Sequence, residues 1–210
     1  ASESTAMPAL RILAGPGALQ HMQQKGLQAQ DIGVIPGAAG GPKGLILGPL
    51  DRFIFGQWLA QSAQSVDLVG ASIGAWRLAS ACLSNPVAAL AQLEHDYIHQ
   101  DYPVSPGNKR PSAAQVSSGF RQGLERFYSG LVPEILQHPR YRLHVVTSNG
   151  RHVLAREGRW RTPLGYAGAF VSNAISRPWL GAWLQRVVFS VHAEQGLPFA
   201  TQDFPTRQVD

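Results

Sequence analysis

Two glycine-rich turns, each set between a strand-like run and a helix-like run, constrain the fold of this chain most. The first strand-like run, Asp31–Pro36, leads through GAAGGPKG at Gly37–Gly44 into a helical pattern at Leu45–Ala63. The second, Ser65–Gly70, leads through GASIG at Gly70–Gly74 into a helical run that reaches Leu83. Two successive strand–turn–helix units predict an α/β layered domain with a largely parallel sheet.

The rest of the chain continues this alternation of elements. Helices are predicted at Leu19–Lys25, Pro86–Gln100, Ala113–His138 and Pro163–Leu184. Strands are predicted at Tyr141–Thr147, His152–Ala155 and Arg186–Ser190, with a turn at Ser148–Gly150 and loop after Ser190. The 210 residues suit one domain, which we expect to span residues 9–210 after a flexible polar tail at 1–8.

Composition excludes several classes of protein. Cys82 is the only cysteine, which rules out an intrachain disulfide and a zinc site built on cysteines, and we expect Cys82 to be a small core residue. The sequence has no apolar run of 18 residues and no basic, then apolar, secretory leader at its start. These features predict a cytoplasmic or peripheral membrane protein.

The charge balance is positive but carries little information about a partner. The formal charge is +5, yet the 18 Lys and Arg are scattered and form no block of five or six like charges. We interpret Arg140–Arg142 and Arg156–Arg161 as solvated loops and strand edges. No nucleic-acid partner is expected.

The segment Gly70-Ala71-Ser72-Ile73-Gly74 fits the pattern G-x-S-x-G. Between a strand and a helix, this pattern is typical of a nucleophile elbow, a sharp turn that exposes a serine hydroxyl above the sheet. Side chains at Gly70 and Gly74 are expected to collide with neighbouring backbone. Ser72 is therefore the candidate nucleophile, and the alternative is an ordinary serine that caps a helix.

The first glycine-rich loop suits the oxyanion that forms when a serine attacks an ester carbonyl. Adjacent glycine N–H groups can point into one concavity, and Gly40 and Gly41 are the predicted donors. Pro42 has no N–H, and Lys43 either raises the local potential or is a solvated lysine of the first helical turn. Pro42 and Gly44 do not fit a P-loop, and no register of the loop fits G-x-G-x-x-G. No cofactor and no metal are expected.

A serine nucleophile requires a base, and the sequence leaves its identity open. A triad of Ser72, Glu157 and His192 can be written, but neither partner follows a recognisable strand end. His144 alternates within an apolar strand, where a hydrogen-bonded core residue is the expected role.

The two motifs together resemble the patatin-like phospholipase family. The matching residues are Gly40-Gly41-Pro42-Lys43-Gly44 and Gly70-Ala71-Ser72-Ile73-Gly74. The resemblance implies a three-layer α/β/α fold and a Ser–Asp dyad that hydrolyses acyl esters of lipids. Ser72 would be the nucleophile, Gly40 and Gly41 the oxyanion hole, and a membrane surface a compatible partner. Oligomeric state, head group and chain length stay open.

Two features depart from that family. Ala38 and Ala39 stand where family loops often have Asp-Gly, and the chain contains no Asp-Gly dipeptide to carry the dyad Asp. Asp203 resembles a structural aspartate of the family that precedes the dyad Asp. We therefore expect a C-terminally incomplete domain whose base lies beyond residue 210; the alternatives are a base supplied by another chain, a base-less lipid- or protein-binding module, or Asp203 as a substitute.

Apolar side chains near these motifs have two readings. They either line an acyl site or belong to the core, and we expect them to be core residues. These residues are Phe53, Trp58, Trp76 and the 164–184 region.

Overall fold

The structure is a computed structural model that describes residues 10–101, 111–155, 160–192, 197–198 and 205–209. The predicted tail at 1–8 lies outside the described residues.

A five-stranded, mostly parallel sheet organises the molecule, as the alternating pattern predicted. Its strands lie in chain order, and they are β1 (Val34–Gly37), β2 (Val66–Gly70), β3 (Tyr141–Gly150), β4 (Leu184–Ser190) and β5 (Thr206–Gln208). The pairs β1–β2, β2–β3 and β4–β5 are parallel, and β3–β4 is antiparallel. The carboxyl ends of β1, β2 and β3 therefore share one edge of the sheet.

Seven α-helices are described between and beside these strands. They are α1 (Pro16–Lys25), α2 (Gly48–Phe53), α3 (Ile73–Ala81), α4 (Pro86–Ile98), α5 (Ala113–Tyr128), α6 (Val132–Leu136) and α7 (Arg161–Ile175). Side chains cap two of them: Asn85 accepts from the Ala88 N–H at the start of α4, and Ser112 and Gln115 form a capping box on α5.

The main core lies between one face of the sheet and the helices that follow β1 and β2. Leu68 of β2, Leu78 and Cys82 at α3, and Leu90 of α4 are almost fully buried there. Cys82 is a core residue, as predicted. Alternation along a strand turns the neighbouring Asp67 to the opposite face.

Local breaks correct several predicted boundaries. The helix predicted over Leu45–Ala63 is a 3₁₀ segment at Gly41–Leu47, then α2, a π-helical turn at Ile54–Trp58 and a 3₁₀ turn at Leu59–Gln61. Gly48 and Pro49 fall at the first of these changes, since proline fixes its own φ and lacks an N–H. Further along, α5 ends before Gly130, which has a φ of +79° and separates α5 from α6.

Two predictions about strands were wrong. His152–Ala155 is a 3₁₀ turn and not a strand, because β3 runs on to Gly150 and pairs there with Leu184. The chain end was expected to be loop, yet Thr206–Gln208 joins the sheet as β5. The helix predicted over Pro163–Leu184 ends at Ile175 and continues as 3₁₀ turns at Arg177–Ala182.

Among the described residues, no helix is long and apolar enough to cross a membrane.

Candidate active site

Ser72 occupies the sharp turn between β2 and α3. Its φ of +53° and ψ of −130° lie in a region that side chains rarely adopt, and among the described non-glycine residues only His152 shares a positive φ. Such a conformation costs on the order of 1–3 kcal/mol and persists only where its surroundings enforce it. A strained serine between a parallel strand and a helix has the backbone geometry of a nucleophile elbow.

The Ser72 side chain is exposed and is not used as a helix cap. Its hydroxyl forms no hydrogen bond to the N–H groups of α3, and only its carbonyl is engaged, by the N–H groups of Ala75 and Trp76. No partner for the hydroxyl occurs in the described part of the chain. The helix-cap alternative therefore loses its physical basis, and the oxygen stands free at a helix N-terminus, which favours negative charge.

The motif glycines Gly70 and Gly74 fit where no side chain does. A Cβ at Gly70 would lie 2.4 Å from the Cα of Ala75, and a Cβ at Gly74 would lie 2.1 Å from the carbonyl oxygen of Gly37. Both contacts are with backbone, which cannot move aside cheaply. The expectation of backbone collisions at these two positions is confirmed.

The glycine-rich loop lies directly against the elbow. The Ala71 N–H donates to the carbonyl of Gly37 at 3.0 Å, and a Cβ at Gly44 would lie 2.7 Å from Cγ2 of Ile73, the first residue of α3. The end of β1 and the start of α3 are thus in backbone contact. The structure brings together the two motifs that the sequence placed about thirty residues apart.

Within that loop, Gly41 has a φ of +54°, so this position requires glycine for its conformation. The N–H groups of Gly40 and Gly41 donate a hydrogen bond to no described residue, and Gly40 is exposed. Lys43 is exposed and has no ion pair within the same residues. Free N–H donors in the loop after β1 and a free serine oxygen after β2 are elements that an oxyanion hole requires.

A buried ion pair joins the helices that follow the two motifs. Arg77 of α3 donates from Nε and from a terminal nitrogen to the two carboxylate oxygens of Asp51 in α2, at 2.6 and 2.7 Å. Both side chains are buried. This bidentate pair fixes α2, which continues from the glycine-rich loop, against α3, which continues from Ser72.

Comparison of the chain with protein-family models, with curated proteins and with solved structures found no match.

The described acidic residues do not provide a partner for Ser72. Asp51 is bound to Arg77, and Asp67 accepts two hydrogen bonds from Arg142 at 2.7 Å and one from His144 at 2.9 Å. Glu157 of the written triad lies outside the described residues, as do Asp203 and Asp210. No described carboxylate or imidazole is hydrogen-bonded to Ser72, and no described cluster of three or more His, Cys, Asp or Glu has the arrangement of a metal site.

The sequence reading missed a buried polar network on the opposite face of the sheet. The ring of His144 contacts Asp67 through Nε2 at 2.9 Å and the Ser190 hydroxyl through Nδ1 at 2.9 Å. His144 and Ser190 are almost fully buried, so no substrate reaches this serine, although the order Asp–His–Ser imitates a catalytic triad. His144 is a hydrogen-bonded core residue, as predicted. The sequence feature that could have indicated this network is Asp67, which lies inside an apolar strand. A buried carboxylate requires a hydrogen-bond or charge partner.

His192 belongs to the surroundings of this network and not to the elbow. Its N–H donates to the Ser190 hydroxyl at 3.0 Å, and burial, followed by the charges of Arg142 and His144, lowers its pKa. Because β4 is antiparallel to β3, the chain after Ser190 runs away from the sheet edge that carries Ser72. The register therefore separates two members of the written triad.

A cleft of about 1000 Å³ opens between α4 and α5. Trp76, one helical turn after Ser72, lines it and packs edge-on against Phe120 with ring centroids 5.4 Å apart. Of the other predicted acyl-site aromatics, Trp58 packs against the core and Phe53 is half exposed. The structure thus places Trp76 on a cleft.

Proposed function

We propose that this chain has a patatin-like three-layer α/β/α fold and is a serine hydrolase that cleaves acyl esters of lipids through an acyl-enzyme on Ser72. The observation that carries the proposal is the exposed, uncapped Ser72 with positive φ, held at the end of a parallel strand against a loop with free glycine N–H groups. The motif resemblance supplies the substrate class, and the geometry supports the role of each motif.

In this mechanism the Ser72 oxygen attacks the ester carbonyl carbon, and its proton passes to a carboxylate base. The carbonyl oxygen becomes an oxyanion that the N–H groups of Gly40 and Gly41 stabilise; removing one such donor typically costs about 3 kcal/mol of transition-state stabilisation. The carbon–oxygen bond breaks, the alcohol leaves with the proton, and water hydrolyses the acyl-enzyme by the same route in reverse. The base is a carboxylate outside the described residues.

The cleft beside Trp76 has room for a substrate chain, and polar side chains such as Gln92 and Asp96 share its lining with Trp76 and Phe120. Its volume lies at the upper end of the range for small-molecule sites, and its wall begins one helical turn from the nucleophile. We propose that Trp76 and Phe120 contact the acyl chain of the substrate, which is the role the sequence offered for Trp76 as an alternative to the core.

The test is covalent labelling of the protein, purified from its natural source, with a fluorophosphonate probe, read by intact mass. One adduct is expected on the wild-type chain and none on Ser72→Ala. Ser129→Ala is the matched control, because Ser129 is also exposed but ends α5 and belongs to neither motif, and it should label like the wild type. Turnover of a short-chain ester should follow the same order.

Two other functions predict different results. A lipid- or protein-binding module that keeps this fold without a base should take up no probe, and Ser72→Ala should then leave every measured property unchanged. A triad esterase should lose turnover when His192 is replaced by Ala, whereas a dyad enzyme should retain most of it.

A further inference from the structure

Helix α7 exposes a large apolar surface. Four side chains on it, Leu164, Phe170, Val171 and Ile175, are 67%, 75%, 55% and 66% exposed. Their spacing places them within one broad stripe of the helix. Trp160, just before α7, and Trp179, just after it, are also more than half exposed. We call the four side chains and the two tryptophans the α7 face.

The opposite side of α7 consists of small residues and packs against the rest of the protein. A Cβ at Gly165 would lie 2.5 Å from Leu154, a Cβ at Gly168 would lie 2.5 Å from the ring of Trp183, and Ala169 is buried. The Trp183 indole N–H also donates to the Ser172 hydroxyl at 2.9 Å. The helix therefore packs by its small side and turns its large apolar side outward, the reverse of an ordinary surface helix.

The net charge of the chain is concentrated in the stretch of sequence that contains this helix. Six of the 18 Lys and Arg lie between residues 151 and 186, all of them arginines, and only one of the 13 acidic residues, Glu157, lies there. The rest of the chain has twelve basic and twelve acidic residues and is formally neutral. Lys and Arg thus occur throughout the sequence, but the excess of positive over negative charge lies within residues 151–186.

The α7 face also lies on the side of the protein where the sheet edge carries Ser72. Gly70, just before the elbow, pairs with Val145, and β3 continues from there to Gly150, about 16 Å further at the usual rise of a strand. Helix α7 contacts the two 3₁₀ segments, His152–Ala155 and Arg177–Ala182, that lie at this end of β3 and β4. The apolar face thus lies beyond the same edge as the candidate nucleophile.

We propose that the α7 face docks on an anionic lipid surface, with its apolar side chains in the interface and the excess positive charge of residues 151–186 attracting the anionic head groups. An apolar helix face combined with local positive charge is the pattern of interfacial helices, and each Lys or Arg near an anionic surface adds to binding. At 15 residues, α7 is shorter than the roughly 20 residues that cross a bilayer, so it lies in the interface. The proposal deepens the proposed hydrolase function, on which it rests for its biological meaning, by naming the surface where the substrate is met.

The experiment is co-sedimentation of the purified chain with vesicles of phosphatidylcholine alone or mixed with phosphatidylglycerol. We expect pelleting with the anionic vesicles, a tryptophan emission shift to shorter wavelength, and weaker binding at high salt, where the Debye length falls from about 10 Å to about 3 Å. Leu164→Ser combined with Phe170→Ser should lower the partition coefficient at least about tenfold. Circular dichroism verifies that this variant is folded.

The matched control is Ile98→Ser combined with Val132→Ser, two exposed apolar residues on α4 and α6, which should bind vesicles like the wild type. Ser72→Ala should also pellet normally, so failure of the hydrolase proposal and failure of this one are distinguishable. Absence of binding to both vesicle types, or equal binding by the folded Leu164/Phe170 variant, overturns the proposal. So does a concentration-dependent dimer that this variant abolishes, because the face would then be an interface between two copies.

Discussion

The backbone of Ser72 is strained, and its neighbours show what holds it in place. The turn that gives Ser72 its positive φ sits between Gly70 and Gly74, and each of these glycines is in contact with another backbone segment. The N–H of Gly74 donates to the carbonyl of Ala71 at 3.0 Å, which closes the turn. The exposed hydroxyl is therefore a consequence of close backbone packing on both sides of it.

Replacing Gly74 with Ala should break this arrangement. Helix propensity alone predicts that Gly→Ala stabilises a helix by about 0.5–1 kcal/mol. The new Cβ would instead meet the Gly37 carbonyl at 2.1 Å, so we expect the free energy of unfolding in urea to fall by about 2 kcal/mol or more and probe labelling of Ser72 to be lost.

Gly123→Ala is the control for that prediction. Gly123 lies inside α5, and nothing is within 4 Å of the position of its Cβ, so this change should raise the free energy of unfolding by about 0.5–1 kcal/mol. An equal effect of the two substitutions would contradict the close approach of α3 to the end of β1.

Between elements, charged side chains fix the helix that continues from the glycine-rich loop. Asp51 of α2 binds Arg77 of α3 in the core, whereas the neighbouring Arg52 binds Glu94 of α4 at 2.6 Å with both side chains about 30% exposed. The two ion pairs differ in burial, and we expect them to differ in how much the loss of one partner destabilises the protein. A buried charge that loses its partner has no water to replace it.

Asp51→Asn should therefore destabilise the protein much more than Glu94→Gln. The first substitution leaves Arg77 charged and buried with a neutral amide, and we expect a loss of about 3–5 kcal/mol in the free energy of unfolding. The second removes one charge of the pair whose side chains are about 30% exposed, and it should cost at most about 1 kcal/mol. Urea unfolding of both variants checks this, and losses of the same size would show that Asp51 does not hold α2 and α3 together.

Across the whole molecule, the parts that the sequence predicted are those that local residues determine. The two strand–turn–helix units were predicted because proline, glycine and apolar residues act on their own neighbours. The extension of β3 through Ser148-Asn149-Gly150 was missed because pairing with β4, from Leu184 onward, overrides a local turn signal.

In the candidate site and its surroundings, too, the parts that local sequence determines were predicted and the parts that depend on sheet register were not. Ser72 and the glycine loop were found from contiguous motifs, and their contact followed from adjacent parallel strands. The network of Asp67, His144 and Ser190 joins residues 46 and 77 positions apart, so only the register of the sheet brings them together.

The single cysteine offers a measurement of the stability of the whole fold. Cys82 is 1% exposed within the core cluster that contains Leu68 of the sheet and Leu90 of α4, and its thiol donates to the Leu78 carbonyl at 3.3 Å. Burial raises the pKa of this thiol from 9.0 to about 12. The reactive thiolate is thus suppressed in the native state as well as shielded from reagents.

We therefore expect a thiol reagent at pH 8 to label Cys82 only when the core opens. The thiol ionises near pH 9 in the unfolded chain and near pH 12 in the folded one. The stabilisation gained by burying the neutral thiol is therefore complete below pH 9 and is lost as the pH rises towards 12. Labelling after brief exposure to increasing urea should follow the loss of far-ultraviolet circular dichroism with the same midpoint, since helices and sheet share this core. Asp51→Asn should shift both midpoints together. Rapid labelling without urea, or a labelling midpoint well below that of the dichroism, would show that the helices separate from the sheet before the fold is lost.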